Sequence, residues 1–385
     1  MTIIIPTTNI WGFPEKEGEK VLFPQRVEQL RNFITNEGAE GLLISRCDNF
    51  SWFTFGGRNH ITLNSVEGVA SILLTREKIY LFVDNIEKER LRKEEIAPEI
   101  WKELEVIEYD WWKSERTAIM PFLEDKKILS DTGRYGTINV ASKIDPFRYV
   151  LTKPEIETYR ELGRICDHIM NREIRKLSPD VTELEVQGRF YHSLAAEGIE
   201  PLLTIVFGDE SALLYRHNLS RKVPLGKKAF VSICARKKGL VLSCTRSIMF
   251  EKNKKYIKQH LDNCYVDAVA IANSIPGTKL SQLSDMLKQA YAKVGKPEEW
   301  KLHHQGGLAG YNPRELIATK DIDYPLRPGN VVAWNPTITG TKSEDTILVG
   351  ENDVELLSYP EKSEWPSLTF EIYGKVIRRP NILLL

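Results

Sequence analysis

The sequence predicts an α/β domain over residues 1–150 followed by an α+β domain over 151–385. Three observations predict it. The 385 residues exceed what one core ordinarily organises, because single cores stop growing near ~250–300 residues. Short apolar runs alternate with helical patterns between Arg26 and Asp131. Beyond residue 151, two capped helices lead into a strand-rich stretch.

In the first domain RVEQLRNFITNEG reads as a helix closed by Gly38, and GLLIS, VASILL and IYLFVD read as strands. A helix near IEKERLRKEEI and a strand at KILSD complete the alternation, so the sheet is expected to be partly parallel. The boundary falls near Tyr149 to Pro154, where Thr152-Lys-Pro-Glu155 has capping-box spacing and opens a helix to about Leu177. A second box, Thr182-Glu-Leu-Glu185, opens a helix that Gly198 closes, and a third helix is expected from Leu280 to Val294, before Gly295. KKAFVSICA and LVLSCTRSIMF then form a hairpin turning at Arg236-Lys-Lys-Gly239.

Lys plus Arg and Asp plus Glu number 53 each, so no single-sign field draws the chain to nucleic acid or an anionic membrane. A small-molecule substrate is the expected partner. The five cysteines, Cys47, Cys166, Cys234, Cys244 and Cys264, are odd in number and lack a CxxC pair, which argues against a disulfide framework or zinc knuckle and for a reducing compartment. The first twenty residues show neither a basic leader nor a long apolar run, and the closing Ile-Leu-Leu-Leu is far short of the ~20 residues a span requires. The expectation is a soluble, cytoplasmic protein.

A hairpin turning symmetrically about Lys237 and Lys238 would set Ser232 opposite Ser243 with Cβ atoms about 5 Å apart. Cys234 and Val241 would share their face by period-two alternation. This stretch resembles the metal hairpin of the pita-bread family that unites aminopeptidase P, prolidase and creatinase, family M24. Its metallopeptidases carry an aspartate, ten intervening residues, a second aspartate and a Thr-Arg element. SICARKKGLVLSCTR keeps that spacing and ends in Thr245-Arg246, with serine at both aspartate positions, 232 and 243.

The resemblance continues on both sides. HHQGGLAGYNPRE is similar to the family segment running from Gly-His-Gly to His-Glu, which puts Gly307 at the metal histidine and Arg314 at the later one. AWNPTITGTKSEDTILV resembles the paired glutamate motifs, with Asn335 and Glu344 at the two ligand positions. LLYRHNLSRKVPLGKK resembles the segment that carries a proton-handling histidine, here His217. NFSWFTFGG and KPEIETYR are similar to the Asn-x-x-Tyr-x-x-Gly signature and the Lys-x-x-Glu-Ile-Glu helix start, so the likeness spans Arg26 to Val349.

The resemblance implies a C-terminal pita-bread domain and a homodimer. Of five ligand positions only Glu344 stays acidic, and two serines, a glycine and an asparagine do not hold two hard divalent ions, so neither a catalytic metal nor a cofactor is expected. Creatinase is the family's metal-free precedent, splitting a carbon–nitrogen bond with a histidine and glutamates. By position, His217 would be general acid and base, and Glu344 would bind a cationic or N–H group of the substrate or orient water. Ser232, Ser243, Arg246, His304, Arg314 and Asn335 are candidate substrate contacts. Phe55 and Arg58 loosely resemble residues that creatinase lends to its partner subunit's site.

Each candidate also has a structural reading. Ser232 and Ser243 would bond within the hairpin, Cys234 would be packing rather than a thiol nucleophile, and Arg246 and Arg314 would be ion pairs rather than carboxylate clamps. His217 would be a surface-loop residue and Glu344 a solvated charge. His303 and His304, taken as adjacent strand residues, would point to opposite faces and could not chelate one ion together. Gln305 and the following glycines would let substrate approach the backbone closely. Three functions follow: a metal-independent creatinase-like hydrolase, a non-catalytic binder of a ligand, peptide or protein, and an Xaa-Pro peptidase.

Overall fold

The computed structural model describes residues 17–385, which divide between Ile144 and Asp145 into two compact units. In the first, the helix Glu17–Asn36 precedes the strand Gly41–Arg46, which lies inside a six-stranded sheet. That strand pairs antiparallel with Glu67–Thr75 and parallel with Ile128–Ser130, giving the mixed sheet that the alternation implies. Leu42, Leu43 and Ile44 are all buried, as expected for a strand covered on both faces. NFSWFTFGG adds a short helix, Cys47–Phe53, whose Asn49 donates to Asp131 at 3.1 Å.

The second unit opens with helices Lys153–Ile174 and Glu183–Ala196, each started by its expected capping box. Strands Glu200–Phe207, Lys228–Lys237 and Leu240–Met249 form a four-stranded sheet with Leu383–Leu384. A five-stranded sheet carries Gly306–Ala309, Val331–Trp334 and Asp345–Val349 in neighbouring positions. The two sheets are stitched together. Thr245 N–H donates to Glu344 O at 3.0 Å, Val241 N–H to Gly310 O at 2.9 Å, and Ser243 N–H to Thr346 Oγ1 at 2.9 Å. Helices Lys254–Asn273 and Leu280–Lys293 pack Val266, Ala270, Leu283 and Leu287 over Trp334 and Ile347.

Two expectations are corrected. The hairpin turns about Lys238 and Gly239, so Ser232 faces Thr245 and Cys234 faces Ser243. The cause is turn chemistry: both central residues take positive φ, 50° and 80°, as a two-residue hairpin turn with the right twist requires, and glycine adopts this freely. A slip of two leaves every side chain on its expected face. The second correction is the helix Lys254–Asn273, which the sequence reading missed. Its buried face includes His260, Asn263 and Asp267, so its apolar periodicity is broken.

Candidate active site

The seam between the sheets gathers the side chains that the sequence motifs single out. Ser232, Cys234, Ser243 and Thr245 lie on one face of the hairpin, with Ser232 Oγ 2.6 Å from Thr245 Oγ1 and Cys234 Sγ 3.2 Å from Ser243 Oγ. The two serines therefore bond within the hairpin. Burial raises the Cys234 thiol pKa, so it is not poised as a thiolate nucleophile. Thr245 Oγ1 then donates to Glu344 Oε2 at 2.8 Å.

Glu344 is fully engaged. Lys342 Nζ stands 2.9 Å from Oε2 and Arg314 Nη2 donates to Oε1 at 3.3 Å. Burial pushes its pKa up, but Lys342, Arg314 and the Thr245 hydroxyl outweigh that and hold it below the ordinary value. The expectation that Glu344 binds a cationic substrate group is thus corrected, because internal cations and a hydroxyl already take both oxygens. It holds Lys342 and Arg314 together at the seam. These two cations face one carboxylate, so the triad carries one positive charge in excess.

His217 is exposed on the loop between strands Glu200–Phe207 and Lys228–Lys237, held by an anchor on each side. Arg216 Nη2 donates to Glu299 Oε2 at 2.6 Å and Thr339 Oγ1 at 2.7 Å, and buried Asn218 donates to Glu183 Oε2 and Val206 O. His217 Nε2 lies 3.2 Å from His303 Nε2. Partial desolvation and then Lys342 lower its pKa while Glu344 partly restores it, which favours the neutral ring.

The opposite-faces expectation for His303 and His304 fails. Both precede the strand Gly306–Ala309, in irregular backbone after the short helix Glu299–Leu302, so strand alternation does not apply. Their rings stack at 4.5 Å between centroids and 27°, and both meet His217. Burial, followed by nearby cations, lowers their pKa values to about 2 for His303 and about 4 for His304.

Arg246 is corrected as a substrate contact. It follows Thr245 on the strand, so it points to the opposite face, where it pairs with Asp345 at 3.0 Å and donates to Ser358 O at 2.7 Å. Asn335 is buried next to the histidine segment, its N–H bonded to Gln305 O at 3.0 Å and its Oδ1 without a partner among the described residues. Gln305 is a structural anchor, accepting from the Tyr291 hydroxyl at 2.7 Å. Phe55 and Arg58 are engaged within the first unit: Arg26 lies over the Phe55 ring at 3.8 Å, and Arg58 pairs with Glu95 at 2.8 Å. Lys342 was absent from the candidates because a Lys-Ser-Glu-Asp run reads as solvated surface.

An α/β unit followed by a unit with two main sheets, with a hairpin and paired-glutamate segments meeting at a seam, defines the pita-bread architecture. The model of metallopeptidase family M24 matches residues 157–351, and that of the creatinase/prolidase N-terminal domain matches 26–137. The chain belongs to family M24. It is 21% identical over 356 residues to an Xaa-Pro dipeptidase of Pyrococcus furiosus, covering 88% of this chain and 99% of that one. Its fold matches the prolidase of Pyrococcus horikoshii with a TM-score of 0.75 at 20% identity, covering 88% of this chain and 99% of that one. It also matches the N-terminal domain of a FACT complex subunit from chickpea, with a TM-score of 0.67 at 11% identity, covering 88% and 95%.

The residues present do not fit the family's metal centre. The one acidic position, Glu344, is already neutralised by Lys342 and Arg314. At Gly307, a Cβ would come within 2.0 Å of Leu316 O, so no imidazole can stand there. The two glycines serve close packing between strands rather than approach of a substrate.

Proposed function

We propose that this M24 protein is a creatinase-like hydrolase that cleaves the carbon–nitrogen bond of a small amide, amidine or guanidino substrate, without the family's dinuclear metal centre. The observation that carries this reading is His217, its neutral form favoured, within electrostatic reach of the Lys342–Glu344–Arg314 triad with its one cation in excess. The excess cation suits a substrate carboxylate, for which Arg314, with an unpartnered buried Nε among the described residues, provides a directional donor. His217 takes a proton from water as the water oxygen bonds to the substrate carbon. The imidazolium then returns that proton to the departing nitrogen as the carbon–nitrogen bond breaks.

Turnover should survive exhaustive chelation and fall about 100-fold or more in His217→Ala. Equal turnover in that variant would sink the reading. Family membership alone also accommodates Xaa-Pro peptidase activity, and release of proline from an Xaa-Pro dipeptide in Mn2+ buffer would replace the proposal with it. A second reading, binding without turnover, draws on the likeness to a FACT subunit, since the fold also serves in a complex. Saturable ligand binding with no product would favour it. A homodimer in the cytoplasm completes the proposal, and sedimentation reads the oligomeric state.

A further inference from the structure

The histidine cluster offers something the hydrolase reading does not use. His217, His303 and His304 each present one nitrogen, and the three lie within 4.8 Å of one another. A tetrahedral ion bound at ~2.0–2.1 Å to each imidazole spaces its nitrogens roughly 3.4 Å apart. The His217 and His303 Nε2 atoms, at 3.2 Å, already have that separation. Mutual hydrogen bonding satisfies only that pair. The Nδ1 atom of His304 is buried without a partner among the described residues, and a buried polar atom of this kind calls for a ligand or water.

The donor set specifies the ion. Three imidazoles without a free carboxylate suit Zn2+, Co2+, Ni2+ or Cu2+, whereas Mg2+ and Mn2+ require oxygen donors. Burial and the facing cations Lys342, Arg314 and Arg216 favour the neutral rings that have a lone pair to give, while the single facing carboxylate, Glu344, pulls the other way. The segments are held in place without the ion, His217 by Arg216 and Asn218, and His303 by the Glu299–Leu302 turn bound to Thr339.

We propose that His217, His303 and His304 form a mononuclear site for one divalent transition-metal ion of the Zn2+ class, built on none of the family's five ligand positions. Insofar as the hydrolase reading holds, the ion and the proton compete for the same His217 lone pair. The metal-bound form then lacks its general base, and Zn2+ acts as a reversible inhibitor.

The test uses the full-length chain, stripped with chelator and titrated with Zn2+, Co2+, Mn2+ and Mg2+ by calorimetry and absorption. One equivalent of Zn2+ should bind, Co2+ should give the visible bands of a tetrahedral nitrogen site, and Mn2+ and Mg2+ should not bind. His303→Ala and His304→Ala should each weaken Zn2+ by more than the roughly 10- to 100-fold lost with an outer-sphere partner. Ser243→Ala should bind Zn2+ like the wild type. Absence of stoichiometric Zn2+ binding, or unchanged affinity in both histidine variants, overturns the site. Should the variants misfold, paramagnetic Co2+ shifts of histidine ring resonances in the wild-type chain decide, and their absence overturns it. Binding is read without turnover, so it stands or falls apart from the hydrolase reading. Turnover unchanged at saturating Zn2+ overturns the inhibition.

Discussion

Lys342 shows what a single residue contributes that its neighbours in sequence do not announce. It is 5% exposed, and its ammonium stands beside Glu344 at 2.9 Å, so the pair has exchanged water for each other. Removing one partner of an isolated buried pair costs about 3–5 kcal/mol, and losing Lys342 should cost less than that, because Arg314 at 3.3 Å still compensates Glu344. Lys342→Met is therefore expected to lower the urea midpoint clearly, and Lys342→Met with Glu344→Gln to lower it by less than the sum of the single losses. Additive losses would show that the two residues do not act as a pair. At His217, partial desolvation and Lys342 lower the pKa below the ordinary histidine value near ~6.5. A base is active when unprotonated, so the acid limb of kcat/KM should lie below pH 6.5, and Lys342→Met should move it up. An acid limb at or above 6.5 in the wild type would contradict the assignment. His217 was legible because a motif carried it. Lys342 was not, because only the folded seam distinguishes it from a surface lysine.

The elements were more legible than the site they build. The capping boxes at Thr152 and Thr182 are written within four residues each, and both helices start there. The helix Lys254–Asn273 escaped because partners far along the chain bury its polar residues, as when Asn263 donates to Pro336 O and Asp267 pairs with Arg379. Hairpin register was misjudged by two residues because it depends on which two positions accept positive φ. Gly239→Ala places a side chain at φ 80° and is expected to destabilise by about 1 kcal/mol or more, with the register retained. Gly307→His is a sharper test, since it restores the family's ligand on paper. Its Cβ would meet Leu316 O at 2.0 Å and Ala318 N at 2.9 Å, so the pairing of Gly306–Ala309 with Leu316–Ile317 must break. The variant should be strongly destabilised and gain no Mn2+-dependent activity. A well-folded Gly307→His protein that binds Mn2+ would refute the packing argument.

Over the C-terminal unit as a whole, buried ionisable groups tie stability to pH in a way that composition conceals. Net charge is zero, yet beneath the seam Asp267, Asp345, Arg246 and Arg379 form a fully buried cluster, and His260 is buried beside it with Nε2 3.0 Å from Pro380 O. Burial lowers the His260 pKa to about 4 against the opposing hydrogen bond to the Pro380 carbonyl, with a smaller lowering contribution from the Arg379 charge. The unfolded chain binds this proton near ~6.5, so between pH 6.5 and 4 the unfolded state holds more protons and stability falls as pH falls. At pH 5 the loss from His260 alone is on the order of 2 kcal/mol. His303 and His304 act in the same direction. Asp267, which burial raises to about 6, acts in the opposite direction, because the folded state takes its proton first. These opposing contributions make the absolute pH profile a poor test, whereas a difference between variants isolates one group. His260→Gln keeps a donor for Pro380 O and removes the titration. Its stability deficit relative to the wild type should shrink by about 2 kcal/mol between pH 7 and pH 5, read from urea midpoints at both values. Parallel behaviour of the two proteins across that interval would mean that His260 is not held neutral in the folded state.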